Sequence, residues 1–155
     1  MRKLLFAVLL TAACSSDPSA PMTGADQPGR ASVDFGVSID RFSLDPYQIQ
    51  EAKVEGDTLR VTVSHGGGCR KHEYGFVVYS GWMESHPVQV RAVILHNANG
   101  DNCKALLRNE LRFDLSPLRA AYTQSYGSGS GTIIINLANP AATNGPGLTS
   151  VTYTF

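Results

Sequence analysis

The sequence predicts an all-β domain, an antiparallel β-sandwich of immunoglobulin-like or barrel-like form carrying one short helix. Three observations lead there. From Val33 onward the apolar residues recur mostly with a period of two, the candidate strands are short and rich in β-branched and aromatic residues, and Gly, Asn and Pro punctuate them at short intervals. About 120 residues follow Ser32, enough for one hydrophobic core and not for two.

Before that domain the chain has a different character. Met1, Arg2 and Lys3 precede an apolar run from Leu4 to Leu10, and Thr11, Ala12 and Ala13 lead into Cys14. A charged start, a short apolar core and small residues describe a secretory signal peptide over residues 1–13, too short to span a bilayer. Small residues ending directly in a cysteine resemble the lipobox of bacterial lipoproteins, with Thr11 standing where that family usually has leucine. The resemblance covers only the first sixteen residues or so. It implies that Cys14 receives lipid and becomes the mature N-terminus, and Ser15, in place of an aspartate, points towards the outer membrane. Residues 14–32, rich in Ser, Pro, Gly, Ala and Asp without an apolar period, then read as a flexible tether to a domain spanning 33–155. The mature part resembles small exported bacterial β domains only in general terms.

Of the 13 basic residues, Arg2 and Lys3 fall in the leader, so 11 face 13 acidic ones and the mature net charge is −2. That excludes the basic footprint expected of a nucleic-acid partner. The expected partners are the membrane, through the N-terminal lipid, and an envelope protein or small ligand.

Within the domain the clearest strand is 57–65. Leu59, Val61 and Val63 share one face, Thr58, Arg60 and Thr62 the other, and His65 continues the apolar face. The remaining strand candidates are 49–54, 72–80, 88–96, 103–113, 132–137 and 150–155. One helix, over 114–122, interrupts them: Ser116 suits its N-cap, Pro117 its first turn and Gly127 its end. It is expected to plug one end of the sandwich.

The unusual residues lie at the turns. Gly66-Gly67-Gly68 precedes Cys69 and His72, while His96, Asn99-Gly100 and Cys103 form a second group. Asn-Gly tolerates the positive φ of a two-residue hairpin turn, which would set His96 opposite Cys103. A hairpin turning within 81–87 would set His72 opposite His96, so that His72, His96 and Cys103 form one row. A one-residue slip in either register would send the row to opposite faces. Three glycines allow the preceding loop to fold back and bring Cys69 to Cys103.

These four residues admit more than one chemistry. With Cys14 assigned to lipid, an even pair of cysteines in an exported protein reads first as a disulfide. Closing a loop of about 34 residues would remove roughly 4 kcal/mol of unfolded-state entropy. The alternative is zinc or copper held by Cys69, His72, His96 and Cys103, since imidazole and thiolate suit both metals. A third possibility is a catalytic thiol beside a histidine, with Asp101 or Glu73 nearby as an orienting carboxylate. Asn97, Asn99 and Asp101 occupy calcium-loop positions, but Asn102 stands at the required glycine and Arg108 at the required glutamate, so a turn explains them better. Gly127–Gly131 lacks the lysine of a phosphate cradle. Trp82, Met83 and His86 gather at the far end of the hairpin from the cysteines, and Trp82 suits a cap on the core. The favoured reading is a non-enzymatic, membrane-tethered β domain in the cell envelope with a structural disulfide and no cofactor. The alternative is a metal-binding lipoprotein.

Overall fold

Two sheets face each other across one core in the structure, a computed structural model that describes residues 23–24, 29–42, 44–139 and 147–155. The signal peptide, Cys14 and much of the expected tether lie outside the described residues. Three two-residue strands come first: β1 (Thr23–Gly24), β2 (Gly29–Arg30) and β3 (Ser32–Val33). The main strands are β4 (Gln48–Glu55), β5 (Thr58–Gly67), β6 (Glu73–Val78), β7 (Val88–Asn97), β8 (Ala105–Asp114), β9 (Thr132–Asn139) and β10 (Gly147–Thr154). One sheet runs β1-β6-β7-β9-β10, with β3 also on β6, and the other runs β2-β8-β5-β4.

All seven strand candidates are present, and the alternation seen in the sequence is the reason. Leu59, Val61 and Val63 of β5 and Leu111 and Phe113 of β8 point inward from one sheet. Tyr74, Phe76 and Val78 of β6 meet His96, Ile94 and Ala92 of β7 on the other. These side chains form the core with Ile133, Ile135 and Leu137 of β9 and Val151 and Tyr153 of β10. The opposite face of β6 and β7 is buried too, because Val77, Val93 and Leu95 are covered by Val37, Ile39, Phe42 and Leu44. That second cover explains why 92–95 reads as an unbroken apolar run.

The sandwich is not wholly antiparallel. Strand β7 pairs parallel with β9, β2 with β8 and β3 with β6. The β7–β9 pairing follows from topology: after β7 the chain crosses to the other sheet as β8, then returns through helix α1 (Ser116–Tyr126) to lie beside β7. Leu115 and Leu118 anchor that helix in the core. Ser116 is its first residue rather than its cap. Asp114 does the capping work, its carboxylate accepting from the Ser116 amide and hydroxyl, both at 2.8 Å. Gly127, at φ 67°, ends the helix as expected. Trp82 packs against Tyr122 and Tyr126 and donates from Nε1 to Ser125 Oγ at 3.0 Å, closing that end.

The folded unit begins before Val33. Strand β1 pairs with β6, β2 pairs with β8, and Ala31 is buried in the core with its amide on the Asp114 carbonyl at 2.9 Å. Of the residues expected to form the tether, the described ones, 23–24 and 29–32, lie against the two sheets. Backbone hydrogen bonds place these described residues, and their sequence carries no apolar period to announce it.

Candidate functional site

Opposite the helix, two connections cross the other end of the sandwich. The first, 68–72, joins β5 to β6, and the second, 98–104, joins β7 to β8. Both start from glycine-dependent geometry. Asn99 and Gly100 have φ 51° and 68°, the positive values the sequence predicts. Their turn does not close a hairpin, however: β7 belongs to one sheet and β8 to the other, so His96 is not paired with Cys103.

Cys69 and Cys103 form a disulfide with Cα atoms 5.8 Å apart. Since β5 pairs directly with β8, ending at Gly67 opposite Ala105, the cysteines fall one step of alternation beyond the last pair. Asp101 finishes the arrangement. Its Oδ2 accepts from the amides of Gly68, Cys69 and Arg70 at 2.8, 2.9 and 2.9 Å, and its Oδ1 accepts from the Cys103 amide at 2.9 Å. The Cys103 amide first, then those of Cys69, Arg70 and Gly68, holds this carboxyl well below the usual carboxylate range despite the opposing effect of burial. Arg70 donates to the Asn99 carbonyl at 2.7 Å and Asn99 to the Lys71 carbonyl at 2.8 Å, lacing the two loops further.

Beneath this lacing lie three buried histidines, His65 (4% exposed), His72 (7%) and His96 (1%), one from each of β5, the first loop and β7. Their ring centroids are 4.4 to 5.0 Å apart. His72 and His96 do meet, Nδ1 to Nε2 at 2.8 Å, although the ladder differs from expectation by two residues: Tyr74, not His72, is the partner of His96. A shift of two preserves the face, so the histidines still converge. His65 is the member that sequence reasoning did not include. Its only signal was its place on the apolar face of β5, where a polar group is buried.

The polar contacts fix how the rings point. His96 donates from Nδ1 to the Asp45 carbonyl at 3.0 Å, and His65 Nδ1 lies 2.9 Å from the Gly66 carbonyl, which can only accept. His72 Nε2 faces Asp101 Oδ2 at 3.2 Å. The bonds from His96 to Asp45, between the two rings and from His72 to Asp101 form one chain that ends on a carboxylate whose side chain has 0% exposure. Burial, and then the neighbouring His65 and His72, lower the pKa of His96 against the pull of the Asp45 carbonyl. Tyr74 stacks on His96 with rings 4° from parallel, and its hydroxyl is 2.7 Å from His65 Nε2, which also lies 2.9 Å from Asn109 Oδ1. Burial raises the Tyr74 pKa and keeps that hydroxyl protonated. A cleft of about 220 Å³ lined by His65, Arg70, Lys71, His72, Tyr74, Leu107 and Asn109 opens onto the group.

The four residues first proposed as metal ligands thus divide. Cys69 and Cys103 are bonded to each other beside Asp101, and His72 and His96 join His65. A sulfur in a disulfide is neither a thiolate ligand nor a nucleophile.

No family model and no curated protein matches the chain. Solved structures do. A NigD-like immunity protein from Bacteroides caccae superposes with a TM-score of 0.55 at 14% identity, over 83% of this chain and 65% of its own. A putative lipoprotein from Bacteroides fragilis gives 0.53 at 11%, over 82% and 69%. A putative toxin-related protein from Parabacteroides distasonis gives 0.50 at 17%, over 83% and 61%. At these identities the likeness is one of fold, and the chain spans 65% and 61% of the lengths of the immunity and toxin-related proteins. Among the described residues no helix is long and apolar enough to cross a membrane.

Proposed function

We propose that this protein is a non-enzymatic, exported β-sandwich held to the cell envelope by lipid on Cys14, and that it acts by binding through the end where the disulfide and the histidines lie. The observation that carries the reading is the Cys69–Cys103 disulfide, because paired thiols oxidise and stay oxidised outside the cytosol. A fold likeness to a putative lipoprotein supports the same compartment. The disulfide also favours binding over thiol catalysis, since neither sulfur remains available as a nucleophile.

Fatty-acid labelling of the full chain in its own envelope tests the proposal. The wild type should take up label and fractionate with membranes, and Cys14→Ser should remain unlabelled and appear in the soluble fraction. An unlabelled wild type would overturn it.

A further inference from the structure

We infer that His65, His72 and His96 form a binding site for a divalent transition metal ion, with zinc the best fit, inside the disulfide-closed end of the sandwich. The inference deepens the binding reading above and rests on it only for the compartment.

Orientation is the first argument. Each ring has one nitrogen tied outward: His65 Nδ1 to the Gly66 carbonyl, His96 Nδ1 to the Asp45 carbonyl and His72 Nε2 to the Asp101 carboxylate. Metal-binding histidines are held in this way, the outer bond fixing the tautomer and turning the other nitrogen to the ion. The other nitrogens are His65 Nε2, which already lies 2.7 Å from the Tyr74 hydroxyl and 2.9 Å from Asn109 Oδ1, and His72 Nδ1 and His96 Nε2, which meet each other at 2.8 Å.

Distance is the second. One donor atom from each ring lies within 4.8 Å of the others, and the closest two are 2.8 Å apart. Tetrahedral zinc, with Zn–N of ~2.0–2.1 Å, needs donors about 3.4 Å apart. Ring shifts of about half an ångström to an ångström would bring them there, with the ion taking the place of the direct contact between His72 Nδ1 and His96 Nε2. Three histidines leave a fourth position open. The Tyr74 hydroxyl, 2.7 Å from His65 Nε2, is beside it, and the cleft leads to it from outside.

Charge bears on what fills that position. Asp101 brings a fully buried carboxylate next to the histidines, and Arg70 and Lys71 stand in the wall of the cleft. The carboxylate offsets part of the ion's charge, and the two basic residues favour an anionic fourth ligand over a further cation.

The test uses the full chain, extracted from the envelope with its disulfide intact and stripped with a chelator, then titrated with zinc chloride and separately with cobalt chloride. One equivalent of zinc should bind, and cobalt should give the visible absorption of a four-coordinate site without a sulfur charge-transfer band. His65→Gln should weaken zinc binding by about tenfold or more, while His86→Gln, at an exposed residue in the β6–β7 connection, should leave it unchanged. Should His65→Gln fail to fold, ring nitrogen resonances of the wild type decide: zinc must shift those of His65, His72 and His96 and spare His86. A stripped, folded wild type that binds no zinc, a folded His65→Gln with unaltered affinity, or shifts confined to His86 would each overturn the inference. None of these outcomes touches the lipid label, so the envelope reading stands or falls separately.

Discussion

Cys69 and Cys103 face each other on the continuation of the β5–β8 ladder, two residues beyond the Gly67–Ala105 pair, with their Cα atoms 5.8 Å apart. The cross-link extends a sheet that would otherwise fray where two loops leave it. It closes a loop with a sequence separation of 34. The Cys69→Ser/Cys103→Ser variant should therefore lose about 2–4 kcal/mol of stability in denaturant titrations, and mass spectrometry without reductant should recover a peptide joining the two cysteines. Free thiols in protein taken from the envelope would contradict both expectations.

Asp101 accepts four backbone amides from both loops. In Asp101→Ala the amides of Gly68, Cys69, Arg70 and Cys103 should exchange hydrogen at least about tenfold faster, while those in the middle of β5 keep their protection. Unchanged exchange at the four amides would mean that the disulfide alone orders the loops.

Gly67 has φ 143°, and a Cβ placed on it would lie 2.7 Å from His72 Nε2 and 3.0 Å from Asp101 Oδ2. Gly67→Ala should cost roughly 1–3 kcal/mol from the backbone conformation alone and push His72 off Asp101. Thermal unfolding gives the first effect and the His72 ring resonances give the second. Wild-type values for both would show that the loop can rearrange freely.

At the opposite end Tyr153, fully buried, donates to Asp57 Oδ1 at 2.6 Å, and Arg119 pairs with the same carboxylate at 2.9 Å. Burial first, then Asp57, raises the Tyr153 pKa. The raised folded value means that its contribution is fully present below the unfolded tyrosine pKa of about 10 and is lost as pH rises from there towards the folded value. Denaturation midpoints should fall above about pH 10, and Tyr153→Phe should flatten the fall. An equally steep decline in the variant would assign the alkaline loss to other groups.

The sequence made the strands, the two glycine-dependent turns and the cysteine pair legible, because each is written in local chemistry. Alternation along 57–65 specified which side chains of β5 point inward, including His65, and Gly127 marked the end of α1. Ala31 was illegible for the converse reason: backbone bonds rather than an apolar pattern place it in the core.

By itself the sequence determined the all-β sandwich, the inward faces and the residues able to make a cross-link. Only the tertiary structure decided who meets whom. A period of two fixes the face of a side chain but neither the neighbouring strand nor the register, and steps of two along a ladder look alike from within one strand. Asn99-Gly100 could thus be read correctly as a turn and wrongly as a hairpin, because whether β8 continues the sheet of β7 or crosses to the other is settled by packing far from the turn. That crossing brings Cys103 beside Cys69. It also leaves His65 on one sheet facing His96 on the other, a convergence of residues 31 apart in the chain that no local pattern encodes.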